Sequence, residues 1–230
     1  MPRTTKTLFV LVLCTGVLSA CGGGGSVSPA PVTVTAFALQ TGYKARIAAG
    51  STTDYVVSGT CSGTAHSTDS APVAASFESK AALAANTSFS LAATNCPLAS
   101  NTVVGQVFYD SNYTPLGTSV PGVAYGKFLT APTPLLASVK VGESNEFGVQ
   151  TMYSDSTKAV LTGKRVYSYV VEADTSSTAL VTFIVLGYNA SQQLLVTELS
   201  KYRIAADGAL TQLTLEFRYA DGTDLVFTKI

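Results

Sequence analysis

Leu210-Thr211-Gln212-Leu213-Thr214-Leu215-Glu216-Phe217-Arg218-Tyr219 sets Thr211, Leu213, Leu215, Phe217 and Tyr219 against Gln212, Thr214, Glu216 and Arg218. A two-residue period puts the first set on one face of an extended chain and the second on the other. The stretch therefore reads as a half-buried antiparallel strand. Asp207-Gly208 precedes it and Asp221-Gly222 follows it, and such pairs supply the positive φ of tight hairpins. Upstream, Val166 to Ala173, Leu180 to Tyr188 and Leu194 to Ile204 are rich in Val, Ile, Leu and Tyr. Asp174-Thr175-Ser176-Ser177 and Asn189-Ala190-Ser191-Gln192 separate them. This spacing predicts an antiparallel β-meander over residues 136–230. Leu180 to Leu186 is apolar at both parities, which predicts a central strand covered on each side.

Residues 32–130 read as shorter strands punctuated by Gly, Pro, Asn and Ser: Val32 to Leu39, Asp54 to Val57, Val73 to Phe77, Ser88 to Ala93, Val103 to Tyr109 and Val123 to Leu129. Turn signals at this frequency predict an immunoglobulin- or fibronectin-like β-sandwich. Glu78 to Ala85 has the propensity for a single helix. Charge is sparse before Leu135 and dense after it, and no proline follows Pro134. Both shifts meet at Thr130-Ala131-Pro132-Thr133-Pro134, a segment expected to link two domains. The expected fold class is all-β and antiparallel: a disulfide-containing sandwich over 32–130 followed by the meander domain over 136–230.

The N-terminus gives an address. Arg3 and Lys6 precede an apolar run, Leu8 to Leu18, that is too short for a permanent membrane span. Leu18-Ser19-Ala20-Cys21 closes it. This segment resembles the signal and lipobox of bacterial lipoproteins. The resemblance implies a signal peptide over 1–20, a diacylglycerol thioether on Cys21 and acylation of the new amine. Burying each methylene is worth ~0.8 kcal/mol, so two or three acyl chains make attachment effectively permanent. Residues 21–31 contain Gly22-Gly23-Gly24-Gly25-Ser26 and end with Pro29 and Pro31, a flexible tether stiffened at its far end. Gly22, not Asp, follows the cysteine, which in Gram-negative lipoproteins implies export to the outer membrane. The expected location is the outer membrane, lipid-anchored, with the body on the periplasmic face in preference to the cell surface.

Cys14 leaves with the signal peptide and Cys21 takes the lipid, so Cys61 and Cys96 remain as an even pair in an oxidising compartment. They are expected to form a disulfide. Gly59-Thr60-Cys61-Ser62-Gly63, with the chain's one histidine at His66, has the spacing of a nucleophile elbow. Turn chemistry ending at Pro72 follows it where that motif requires a helix.

Removal of Arg3 and Lys6 leaves 12 basic residues against 14 acidic ones, so no basic excess exists to attract nucleic acid. One histidine and a bridged cysteine pair assemble no common zinc site, and Asp110-Ser111-Asn112 and Asp155-Ser156 read as turn caps rather than calcium ligands. The carboxylate pairs Glu143 with Glu146 and Glu172 with Asp174 could serve glycoside hydrolysis only within a cleft. Tyr109, Tyr113, Tyr125, Tyr167 and Tyr169 could stack on a sugar or anchor a partner. No catalytic residue, cofactor or metal is expected. The sequence points to a non-enzymatic binding or structural module held at the membrane by its lipid, with an envelope protein, glycan or lipid as partner. An acyl-chain-carrying β-cup and an envelope hydrolase are the alternatives. Mass spectrometry of the mature protein is expected to find a fatty-acylated N-terminus at Cys21; an unprocessed chain, or one without fatty acid, would remove the membrane address.

Overall fold

The computed structural model describes residues 34–94, 96 and 101–230. The signal peptide, Cys21 and the tether lie outside these residues. The described chain has one helix, α1 (Leu39–Ala49), and thirteen strands: β1 (Ser51–Gly59), β2 (Ser62–Asp69), β3 (Val73–Phe77), β4 (Lys80–Thr94), β5 (Asn101–Tyr109), β6 (Pro115–Val120), β7 (Ala124–Phe128), β8 (Ser144–Tyr153), β9 (Leu161–Ala173), β10 (Thr178–Asn189), β11 (Leu194–Ala205), β12 (Leu210–Tyr219) and β13 (Asp224–Lys229).

All thirteen belong to one antiparallel sheet. From β4 to β13 each strand pairs with the next. β13 pairs with β1, β1 with β2, and β2 with β4, so twelve strands close on themselves. A closed barrel has no free edge to attract another chain. β3 pairs only with the first half of β4, Val73 opposite Ala84 through Phe77 opposite Lys80, while β2 occupies the second half.

The all-β antiparallel class is as expected, and the immunoglobulin- or fibronectin-like sandwich followed by a meander is not. Strands from both halves of the chain join at β7–β8 and at β1–β13, and the segment Thr130–Pro134 is a loop between neighbouring strands of the same barrel. Pro132 within this stretch and Leu135 just after it are buried. Of the strand expected over Val32 to Leu39, Val32 and Thr33 lie outside the described residues, and the rest is a single bridge, Phe37 to Val139, running into α1. The helix expected over Glu78 to Ala85 is instead the β3–β4 hairpin turn and the start of β4.

Apolar residues line the inside. Tyr169, Val171, Ala179, Val181 and Ile204 pack around Phe37, Leu39, Leu135 and Val139 at the end of the barrel where α1 lies. A second cluster joins Tyr55, Val57, Leu91, Leu215, Leu225 and Phe227. Cys61 and Cys96 belong to the second cluster and are bonded, with their Cα atoms 4.8 Å apart. Their bond lies just beyond Ser62 and Thr94, the last register pair of β2 with β4. It therefore staples the seam at which the ring closes, and in the chain-entropy account a loop of 35 residues is worth roughly 4 kcal/mol.

α1 lies across the inward face of β9–β12. Tyr43 packs on Phe183, ring centroids 5.7 Å apart. Arg46 sits 5.1 Å over the Tyr202 ring and donates to Gln212 Oε1 at 3.3 Å. Gly42 is buried against the β11–β12 turn, where a Cβ would overlap the carbonyl oxygen of Gly208. Only glycine allows this approach.

The outer face is largely polar on β1, β2 and β4, with Thr52, Asp54, Thr64, His66, Thr68, Ser88 and Ser90 alternating with the inward set. On β10 the outward residues Leu180, Ile184 and Leu186 are half-buried by their strand neighbours; no second layer of the described chain covers that face. A third apolar cluster lies outside β5–β7, where Phe77 of the β3–β4 hairpin stacks on Phe108 and Tyr125 at 4.6 and 5.7 Å. Glu78, at the hairpin tip, accepts hydrogen bonds from the Tyr125 hydroxyl, from Lys127 Nζ at 2.7 Å and from Lys158 Nζ at 2.7 Å.

Two outcomes follow from these contacts. Gly42→Ala must push α1 off the β11–β12 turn, and overpacking against backbone costs about 1–3 kcal/mol; a lowered melting temperature with faster amide exchange in α1 is expected. The hydrogen bonds from Lys127, Lys158 and Tyr125 hold the Glu78 carboxyl down at about 2, against an ordinary value of 4.5. A depressed folded-state value stabilises above the ordinary one and is lost as the carboxylate protonates. The β3–β4 hairpin is therefore expected to loosen as the pH falls from 4.5 towards about 2, read as amide exchange over Val73–Phe77 corrected for intrinsic rates. Glu78→Gln is expected to be loose throughout that interval.

Candidate ligand-binding lumen

Twelve strands enclose more space than their own side chains fill; about eight is the number at which wall side chains fill the interior. Part of the surplus is taken by α1 and by Phe37, Leu135 and Val139. What remains is a cavity of about 300 Å³ under the helix. A vestibule of about 410 Å³ adjoins it, formed by α1, the β5–β6 turn and the Pro132–Pro134 loop. Tyr43, Pro115 and Phe147 line both spaces, so the lumen communicates with the mouth of the barrel beside Tyr43.

The wall of the lumen is aromatic with a few polar groups among the rings. Phe183 meets Phe147 and Tyr202 edge-on at 6.5 and 5.9 Å, and Tyr167 lies 5.4 Å from Phe128. Gln150 of β8 stands opposite Arg165 of β9 in register. Its side chain occupies the space beside Gly126, and its Oε1 accepts the Tyr167 hydroxyl at 3.0 Å. Glu198 of β11 is the register partner of Val185, which is itself paired with Tyr167. Its remaining exposure is to the lumen. Burial pushes the Glu198 carboxyl upward, and the Arg165 charge works in the opposite direction. Burial likewise raises Tyr43, Tyr109, Tyr167 and Tyr202, so these hydroxyls stay protonated donors. Aromatic walls with a few convergent polar groups are the usual composition of a small-molecule site.

The residues singled out from the sequence fall elsewhere or divide. Cys61, in the β1–β2 turn, is spent in the disulfide with Cys96, which removes the thiol an elbow would need. His66 Nδ1 lies 2.7 Å from Asp54 Oδ1 on the outer face of β1–β2. Ser90 is the register partner of His66, so acid, imidazole and hydroxyl stand in a row across three strands. Ser90 Oγ instead shares a hydrogen bond with Thr102 at 2.9 Å, and the ladder surrounding it spends its backbone N–H groups on strand pairing. An acyl-transfer site needs free donors aimed at the developing oxyanion.

Glu143 accepts the Lys140 amide at 3.0 Å, and Asp174 is bound by Arg203 at 2.6 Å and by Thr178. Glu146 and Glu172 are exposed, so neither carboxylate pair faces a cleft. Asp110 caps its own turn through the amides of Asn112 and Thr114, and Asp155 does the same for Thr157. The tyrosines form no single row. Tyr109, Tyr167 and Tyr169 face inward, Tyr113 lies at the vestibule, and Tyr125 faces outward under the β3–β4 hairpin.

Arg46, Gln150, Arg165 and Glu198 were not singled out by sequence reasoning. Their signal is a polar residue at the parity otherwise occupied by core residues: Arg165 with Tyr167, Tyr169 and Val171, and Glu198 with Tyr202 and Ile204. Fold and cavity together define a closed antiparallel barrel with a helix-stoppered aromatic lumen. No protein-family model, curated protein or solved structure matches the chain.

Proposed function

We propose that this protein is a bacterial outer-membrane lipoprotein, anchored through Cys21 and the 21–31 tether, whose barrel binds a small molecule in its lumen without turning it over. The aromatic cavity that opens beside Tyr43 carries this reading. A lipid anchor agrees with a barrel whose β1, β2 and β4 present Thr, Ser, Asp and His outward, because a strand facing hydrocarbon presents apolar residues there. Attachment then falls to the N-terminal acyl chains and leaves the barrel bathed in the periplasm, where an envelope partner or solute reaches its mouth.

Acyl-chain carriage has less support. Stripping water from Arg165 and Glu198 against a hydrocarbon chain leaves their polar groups without compensation, and such a chain offers nothing to the partnerless Gln150 amide. Hydrolysis has less support still, since Cys61 is bridged and Ser90 is bonded to Thr102.

Ser200 is the register partner of Phe183 and lines the lumen, so Ser200→Trp fills the cavity without touching the barrel exterior. The full chain, extracted in mild detergent, is expected to carry a small molecule in native mass spectrometry. Ser200→Trp is expected to lose it while keeping the β-sheet circular dichroism of the parent. A bound molecule that survives the filled lumen would show that the site lies elsewhere and would overturn the proposal.

A further inference from the structure

The lumen wall holds an amide donor that its own residues leave unspent, beside a guanidinium that forms no ion pair among the described residues. Gln150 and Arg165 are register partners on adjacent strands and both project inward, so their side chains leave the wall with Cβ atoms about 5 Å apart. Gln150 is fully buried, and its Nε2 has no hydrogen-bond partner among the described residues. A buried amide donor left in that state costs about 1–3 kcal/mol, which an acceptor arriving in the lumen would recover. Arg165 hydrogen-bonds the Tyr167 hydroxyl oxygen and feels the Glu198 charge, but it makes no ion pair within 4.0 Å among the described residues. Arg46, the other guanidinium on this wall, is already engaged by Gln212, by the Tyr202 ring and, at 3.9 Å, by Asp69.

These two donors sit among rings. Tyr167 follows Arg165 on the same strand face and donates to the Gln150 oxygen, so the amide nitrogen is the part of that side chain left without a partner. Phe147, Phe183 and Tyr43 stand around the same cavity at mutually tilted or edge-on angles, the arrangement that receives another ring by its face or edge. At about 300 Å³ the cavity is at the small end for ligand sites, which suits one compact ring better than an extended chain.

We infer that the ligand is a small aromatic carboxylate. The carboxylate is held by the Arg165 guanidinium and the Gln150 amide, and the ring lies among Phe183, Phe147 and Tyr43. This rests on the lumen being the binding site and names what it takes. The guanidinium fork matches the two oxygens of a carboxylate, and the amide adds a third donor. Glu198 is the one acid among the described residues lining the cavity. It sets the competing preference, for an aromatic cation, that the experiment must separate. Lys44 at the vestibule adds a cation on the way in, with Asp110 opposite it occupied by its own turn.

Calorimetric titration of the full chain in detergent, against a micelle blank, separates the classes with phenylacetate, octanoate and benzylamine as probes. Phenylacetate is expected to bind tightest, and Arg165→Gln to weaken it by about tenfold or more. Arg165→Lys keeps the charge and loses the fork, so an intermediate loss is expected; this variant decides the matter if Arg165→Gln does not fold. Tighter binding of octanoate or of benzylamine, or phenylacetate binding indifferent to both Arg165 variants, overturns the inference. If no probe binds while a molecule still copurifies with the parent and is lost from Ser200→Trp, the ligand class is wrong and the lumen reading stands.

Discussion

The width of a twelve-stranded ring governs the rest of this molecule. Strands of ordinary side chains cannot meet across it, so the interior must be filled from elsewhere or left open. The chain does both. The segment leading from Phe37 through α1, together with Leu135 and Val139 from the β7–β8 loop, occupies one end. The side chains of β1, β2, β4, β12 and β13 meet in a second cluster. The space left between these two fillings is the lumen. The site is therefore the part of a wide barrel that its own plug does not reach, and the Gly42–Gly208 contact seats that plug against the β11–β12 turn.

Charge placement follows the same geometry. A barrel wall has two environments, and most ionisable groups here take the outer one: Glu216 with Arg218, Asp174 with Arg203, and Glu78 with Lys127 and Lys158. Exposed pairs of this kind contribute little singly. Glu78 differs because three donors converge on one carboxylate, beside the Phe77 packing that holds the same hairpin on the outer face. Inside, Arg46, Arg165 and Glu198 are held at a desolvation cost that a purely structural core would avoid with apolar residues. Their retention on the same faces as Tyr167, Tyr202 and Val185 is the physical basis for reading the cavity as a recognition surface.

Much of the strand content was legible because alternation is local. β12 spans the alternating stretch Leu210–Tyr219, and the turns at Asp207-Gly208 and Asp221-Gly222 are where the glycines take φ of 93° and 89°. Facing was legible only in part. A register shift opposite Lys201 and Tyr202 leaves Leu213 as an extra residue, so Gln212 turns inward to Arg46 and Thr211 turns out. A bulge reverses parity without altering the hydrophobic pattern that precedes it. α1 was hidden for a different reason: Gly42 lowers its helix propensity, and the residue is there for a contact with Gly208 in the β11–β12 turn, far along the chain. Ring closure itself has no local signature, since β1–β13 and β2–β4 are non-sequential pairings. The disulfide was legible by counting; the lumen residues, which converge from β8, β9 and β11, were not.

The pairing of the first strand with the last places a demand on how the molecule is made. β1 must wait for β13, whose end is fixed by the amide of Ile230 donating to the carbonyl of Asp54. A chain synthesised from its N-terminus thus carries an open sheet border for nearly its whole emergence, and long-range strand pairing is intrinsically slow. Cys61 and Cys96 both emerge early, so oxidation can bind β2 to β4 before the final hairpin arrives. One side of the closing ring is then already joined, and only the terminal strand has to find its place.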